Sequence, residues 1–150
     1  MLLKSFDKNG FVFFTNDCSR KGKELADNNL VALTFFWSKT GKQVRIEGSA
    51  QKIATNGSDE YFSIRPRGSQ LSAWVSEQSS PISSRAELLE KKREFKQYYQ
   101  GKSIPRPAYW VGYRVIPDQL EFWQNGPNRL HDRFLFIGNN NAWHMTRLAP

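Results

Sequence analysis

Arg129, His131 and Arg133 are separated by the single residues Leu130 and Asp132, just past the turn formers Asn125-Gly126-Pro127-Asn128. In an extended chain alternate side chains fall on one face, so this spacing predicts three basic groups side by side. Cations sharing a face suit an anion or a polar ring; a solvated hairpin edge is the plainer reading. Two other clusters have the composition of oxyanion sites. Ser19-Arg20-Lys21 puts a capping residue and two cations at the start of a helix. Cations there oppose the helix dipole. A docked phosphate resolves the conflict, because backbone N–H groups and both side chains converge on one anion; two surface cations are the alternative. Tyr61, Arg65 and Ser69 supply phenol, guanidinium and hydroxyl, a phosphate clamp if a helix ends at Arg65-Pro66-Arg67-Gly68.

Other reactive side chains point nowhere specific. Two histidines and one cysteine make no metal-ligand spacing, and His144 reads as structural. Cys18 has no cysteine to pair with and is assigned no function. Trp37, Trp74 and Trp110 read as core or interface rather than cofactor contacts.

The elements that must position these groups follow from pattern. At 150 residues the chain is one domain by length, and 39% hydrophobic content supports a real core. Lysine and arginine exceed acids by 22 − 14 = 8, so an anionic ligand is expected, either nucleic acid or a phosphorylated small molecule. The dense run Glu90-Lys91-Lys92-Arg93-Glu94 reads as a solvated helix face rather than a nucleic-acid patch. No apolar run has membrane-spanning length, Met1-Leu2-Leu3-Lys4 turns polar too soon for a signal peptide, and a lone cysteine fits a reducing compartment. The chain therefore reads as cytoplasmic, with no membrane partner.

Leu2 and Leu3 read as the end of a strand, and Asp7–Gly10 as a turn into the strand Phe11–Thr15. Ser19 caps a helix to about Asn28, and Leu30–Trp37 and Gln43–Ala50 are strands, the second with Val44, Ile46, Gly48 and Ala50 inward. A short helix carries Tyr61, Phe62 and Arg65 up to Pro66, and Ser69–Ser76 is helical. Ser84 and Glu87 form a capping box for a helix to about Gln100, with Leu88, Phe95 and Tyr99 inward and Gly101 as the stop. Four strands follow: Tyr109–Val115, Gln119–Gln124, Asp132–Ile137 and Ala142–Leu148. With no βαβ repeat, this order predicts a mainly β protein, an antiparallel barrel with flanking helices.

Several motifs in the same order raise the specificity further. They are Leu2-Leu3-Lys4, Ser19-Arg20-Lys21, Arg65-Pro66-Arg67-Gly68-Ser69-Gln70, Ala73-Trp74-Val75-Ser76 with Gln78-Ser79-Ser80, and Arg129-Leu130-His131-Asp132-Arg133 after Phe122-Trp123-Gln124. Arg147-Leu148-Ala149-Pro150 closes the set. Together they resemble the pyridoxine/pyridoxamine 5'-phosphate oxidases nearly end to end. The resemblance implies an antiparallel split β-barrel that binds FMN across a homodimer interface, with a C-terminal dimerisation and substrate region from about residue 105 to 150. In that family a helix, further strands and an arginine that helps hold the flavin phosphate precede the Leu-Leu-Lys segment. The chain thus reads as N-terminally shortened, with a sheet edge left uncovered.

The resemblance also distributes roles. It assigns Ser19, Arg20 and Lys21 to the FMN phosphate, Phe14 and Thr15 to main chain along the flavin, and Gln43, Gln78 and Ser79 to further flavin contacts. Trp123 and Arg133 match positions beside the isoalloxazine. Lys4, Tyr61, Arg65 and Ser69 match the clamp for the substrate phosphate, and Arg129 and His131 the catalytic pair that holds the substrate ring. The implied reaction passes a hydride equivalent from the 4' carbon of pyridoxamine or pyridoxine 5'-phosphate to flavin N5, giving pyridoxal 5'-phosphate; O2 then reoxidises the flavin and yields H2O2. A non-catalytic FMN- or pyridoxal-phosphate-binding split barrel is the alternative. A small RNA-binding barrel, with Phe11, Phe13 and Phe35 as stacking rings, is a third and weaker reading.

Overall fold

The computed structural model describes residues 1–139 and 142–150. Among them are seven strands and four α-helices: β1 Ser5–Asp7, β2 Gly10–Asn16, α1 Arg20–Asp27, β3 Leu30–Trp37, β4 Lys42–Lys52, α2 Thr55–Ser63, α3 Arg67–Val75, α4 Arg85–Tyr98, β5 Trp110–Gln124, β6 Asp132–Asn139 and β7 Ala142–Arg147. The sheet runs β1-β2-β5-β4-β3, with β6 paired to β5 and β7 to β6. The pairs β3–β4, β5–β6 and β6–β7 are all antiparallel. No helix among the described residues is long and apolar enough to cross a membrane.

Most expected elements form where the pattern places them, and three differ. Leu2 and Leu3 lie outside any strand, the first strand being Ser5–Asp7. The two strands expected at Tyr109–Val115 and Gln119–Gln124 are the single strand β5, which continues through Pro117 and Asp118. Proline removes a donor, which suggests a break, but its fixed φ is compatible with extended backbone. Arg65 lies past the end of α2 rather than on it, the helix closing at Ser63.

The chain divides into two compact units, and β2, β4 and β5 each contribute to both. The first holds Met1–Lys4, Val12–Asn28 and Lys52–Arg114. Its core centres on Phe62, Leu71, Ile104 and Trp110, with Phe14, Tyr61, Trp74, Phe95, Tyr99 and Tyr109 packed around them. Buried Gln70 on α3 donates to the Phe62 and Ser63 carbonyls at 2.9 and 3.1 Å, satisfying the end of α2. Arg67 similarly closes the end of α4 by donating to the Tyr99 carbonyl. Ser84 caps α4 by accepting from Glu87 N, while the Glu87 carboxylate turns to Ser83, so the expected capping box is only half made.

The second unit holds Ser5–Phe11, Asn29–Gln51 and Val115–Pro150. Ile46, Ala50 and Val115 are its buried apolar residues, and β4 alternates as its sequence predicts. A Cβ at Gly48 would lie 2.0 Å from the Ile116 carbonyl oxygen, so only glycine permits β4 to pass this close to β5. Leu30, Phe36, Trp37, Ile137, Trp143 and Met145 remain exposed on its strands.

Candidate active site

A cavity of about 430 Å³ in the first unit collects residues from five elements. Phe14, Thr15 and Asn16 come from β2, Lys21 from α1, Tyr61 from α2, Ala73 from α3 and Trp110 from β5; Arg65 and Gln78 enter from loops and Lys4 from the N-terminal segment. Lys4 is anchored by its own N–H, which donates to the Val12 carbonyl at 2.9 Å. One wall is a stack of rings, with Phe14 to Tyr61 centroids 4.4 Å apart and Phe14 to Trp110 4.8 Å. The Arg65 guanidinium lies 4.6 Å from the Trp110 ring centroid, and Lys4 Nζ lies 5.9 Å from that of Tyr61.

Arg65 carries the strongest chemical signal. Burial pushes its pKa down from the ordinary guanidinium value, and Nη1 is buried without a hydrogen-bond partner. An arginine stays charged at any physiological pH, so a desolvated N–H of this kind is completed by an anionic acceptor. Thr15 Oγ1, in a residue 5% exposed that lines the same cavity, is likewise buried and unpartnered. Three cations, a phenol and two unsatisfied donors fit an ester phosphate. Ser69, expected in this clamp, does not line the cavity.

The start of α1 is built more tightly than its sequence suggests. Ser19 is 1% exposed; its hydroxyl accepts from Gly22 N at 3.2 Å and donates to the Asn16 carbonyl at 2.6 Å. The cap is as expected, and the hydroxyl's single proton is already given to the Asn16 carbonyl. A Cβ on Gly22 would sit 2.1 Å from the Asp17 carbonyl oxygen. Asp17 in turn accepts from the Tyr113 hydroxyl at 2.6 Å and pairs with Lys52. Lys21 lines the cavity, whereas Arg20 pairs with Glu24 at 2.7 Å and lines a separate depression with Gln78 and Ser79. Successive helix positions diverge by about 100°, and here the two neighbouring cations line different depressions.

In the second unit, Gln43 and Trp123 line an apolar slot of about 250 Å³ with Trp37, Phe122 and Phe134. Arg129, His131 and Arg133 do not share the expected strand face. Pro127–Arg129 form a 3₁₀ turn, Asn128 and Arg129 are left-handed with φ of 53° and 64°, and β6 begins only at Asp132. Arg129 and His131 therefore belong to the turn, and Arg133 alone to the strand. His131 still faces this cluster: its ring centroid is 4.7 Å from Trp123, and Nδ1 accepts from Gly126 N at 3.2 Å. Arg133 Nε donates to Glu121 at 2.8 Å, which holds the Glu121 carboxyl below the usual carboxylate range.

The sequence reading missed Asn16 and Asp17, which shape the start of α1, and saw Trp110 as core without its second role as a cavity wall. Tyr113 offers the only hint of Asp17's position, because a buried phenol needs a polar partner.

Comparison with solved structures defines the class. PhzG from Burkholderia lata, in complex with tetrahydrophenazine-1-carboxylic acid, matches with a TM-score of 0.92 at 32% identity, over 99% of this chain and 72% of its own. A pyridoxamine 5'-phosphate oxidase-related, FMN-binding protein from Nostoc punctiforme matches at 0.77 with 13% identity, over 99% and 78%, and bears on the fold alone. The fold is the antiparallel split barrel of these proteins. Residues 1–100 match the family described as pyridoxamine 5'-phosphate oxidase, and residues 110–150 the pyridoxine 5'-phosphate oxidase C-terminal dimerisation region. Pyridoxine/pyridoxamine 5'-phosphate oxidases from Trichormus variabilis and Rubrobacter xylanophilus are 51% and 49% identical over the whole of this chain and 71% and 69% of their own length. The chain belongs to the pyridoxine/pyridoxamine 5'-phosphate oxidase family.

Proposed function

We propose that the chain binds FMN as a homodimer in the cytoplasm and oxidises pyridoxamine or pyridoxine 5'-phosphate to pyridoxal 5'-phosphate, with O2 as acceptor and H2O2 as by-product. The observation that carries this reading is the first unit's cavity, where Arg65 offers a buried, unpartnered Nη1 beside Lys4, Lys21 and Tyr61. Family membership supports the flavin and the substrate class.

In this reading Lys4, Tyr61 and Arg65 grip the substrate phosphate, and the indole under Arg65 fixes the plane in which its N–H fork points. Remote binding energy then holds the reacting carbon in place. Lys21 and the backbone N–H groups at the start of α1 hold the FMN phosphate, with Ser19 keeping that helix end in register and Arg20 adding longer-range charge. Phe14 and Thr15 line the coenzyme with main chain, Gln43, Gln78 and Ser79 serve its polar edge, and Trp123 and Arg133 flank its ring. FMN, when bound, supplies the two-electron acceptor. Arg129 and His131 orient the substrate ring. With His131 Nδ1 already accepting from Gly126, the ring's proton resides on Nε2, which is left as a donor.

Anaerobic mixing of the FMN-loaded protein with pyridoxine 5'-phosphate tests the proposal. Flavin absorbance should bleach, Arg129→Ala should slow bleaching by on the order of 30- to 1,000-fold, the worth of one charged contact in the transition state, and His131→Ala, which removes a neutral donor, should slow it by less. Bound flavin that never bleaches selects the non-catalytic alternative. The likeness to PhzG favours one further reading, oxidation of a ring carboxylic acid, since a basic cavity accepts a carboxylate as readily as a phosphate. Bleaching by such an acid but not by the phosphorylated vitamer would select it.

A further inference from the structure

Arg147-Leu148-Ala149-Pro150 is the one motif to which the proposed function gives no task, and within the second unit it ends against Arg133. The Arg133 guanidinium is held from two sides: Nε donates to Glu121 Oε1 at 2.8 Å and Nη1 donates to the Ala149 carbonyl at 3.0 Å. Leu148 N donates to the Arg133 carbonyl at 3.0 Å, and Arg147 pairs with Asp132, so the tail is laced to the strand that carries Arg133. The register explains the geometry. Trp123 is opposite Arg133 and Glu121 opposite Leu135, so Glu121, Trp123 and Arg133 share one face, with the acid diagonal to the cation.

Glu121 is more than a tether. Its side chain is 11% exposed, and its second oxygen lies 3.6 Å from Arg45 Nη1, while Arg45 also meets Glu47 at 3.0 Å. Two guanidinium groups thus face two carboxylates, and the sheltered one is Glu121. In so sheltered a place a negative charge in contact with a cation strongly reduces the field the cation exerts on anything else nearby.

We propose that Glu121 is the positioning residue and counter-charge of Arg133, and so sets how much positive charge Arg133 lends to the flavin ring. This rests on the reading of Arg133 as a flavin neighbour. An acceptor at Glu121 Oε1 aims the guanidinium; its negative charge lowers the reduction potential that an unopposed arginine would give, because positive charge beside the ring favours the anionic reduced flavin. The closing motif fixes the guanidinium's other edge.

The test measures the FMN dissociation constant by quenching of flavin fluorescence, and the midpoint potential of the bound flavin against a reference dye. Glu121→Gln keeps an acceptor oxygen and removes the charge: FMN affinity should stay within about threefold of the parent while the midpoint potential rises. Glu121→Ala removes the acceptor as well, and affinity should fall about tenfold or more. Glu47→Gln changes the same net charge without touching Arg133 and should leave the potential where it was. In an Arg133→Gln background, Glu121→Gln should shift the potential by less than it does in the parent, because only the carboxylate's own field remains to be removed. If Arg133→Gln alters both measurements and neither Glu121 variant alters either, the role of Glu121 is overturned while Arg133 keeps its own. If Arg133→Gln alters neither, or the chain takes up no FMN, the underlying reading falls and this inference with it. Should Glu121→Ala not fold, Glu121→Gln and the double variant still decide the matter.

Discussion

A guanidinium lying over an indole is fixed in plane without being neutralised, and that is the condition of Arg65 above Trp110. Lysine retains the charge and loses both the flat fork and the stack. Arg65→Lys should therefore raise KM for the phosphorylated substrate on the order of 10- to 100-fold, equivalent to about 1.5–3 kcal/mol, with a smaller change in kcat. Steady-state kinetics on the loaded enzyme reads this directly. Tyr113 makes a different prediction. Burial, then its hydrogen bond to Asp17, pushes the phenol well above its ordinary range. The native state thus keeps a proton that the unfolded chain releases near pH 10, so this contribution is complete below that pH and is lost as pH rises beyond it. Urea titrations of Tyr113→Phe should show a flatter decline in stability above about pH 10 than the parent. At this scale the sequence grouped Tyr61, Arg65 and Ser69, and the first two do line one cavity. Which cation faces inward was not legible: the sequence places Arg20 and Lys21 together, but helix geometry and Glu24 four residues on turn Arg20 away.

At the scale of elements, α1 shows what a sequence can specify and what it cannot. Its cap at Ser19 follows from local chemistry, and the helix ends one residue short of the expected Asn28. The contact that holds its first turn is invisible to a local reading, because it depends on where the preceding loop puts the Asp17 carbonyl. Alanine is the better helix former by about 1 kcal/mol, so propensity alone would have Gly22→Ala stabilise the protein. With a Cβ 2.1 Å from that carbonyl oxygen, the variant should instead lose about 1–3 kcal/mol in urea unfolding and bind FMN more weakly. The Asn125–Asn128 turn taught a related lesson. Its residues announced a reversal, but the alternation drawn beyond it assumed that the strand resumes at once. The left-handed backbone at Asn128 and Arg129 delays β6 to Asp132, and two of the three expected strand positions become turn positions. The long β5 was missed for the opposite reason, two strands being drawn where one goes on through Pro117 and Asp118.

For the whole molecule, the fold class was readable because strand and helix runs never alternate as βαβ units. The division into two compact units was not, since β2, β4 and β5 each contribute to both and no linker marks a boundary. The apolar strand surfaces of the second unit, together with the match of residues 110–150 to the family's dimerisation region, predict a self-association surface. Met145, 56% exposed on β7, is a direct probe. Met145→Glu should move the protein from dimer toward monomer in sedimentation velocity, with secondary structure unchanged by circular dichroism.

The unsatisfied guanidinium nitrogen in the first unit has a practical consequence for handling the protein. On the proposed reading, a buried donor with cationic neighbours accepts the inorganic ion as well as an esterified phosphate, so buffer phosphate or sulfate is expected to compete for the site and to stabilise the protein weakly. At a hundred times its own dissociation constant such an ion adds about 2.7 kcal/mol to apparent stability. Vitamer affinities measured in phosphate buffer will therefore look poorer, and melting temperatures higher, than the same quantities measured in a zwitterionic buffer with chloride.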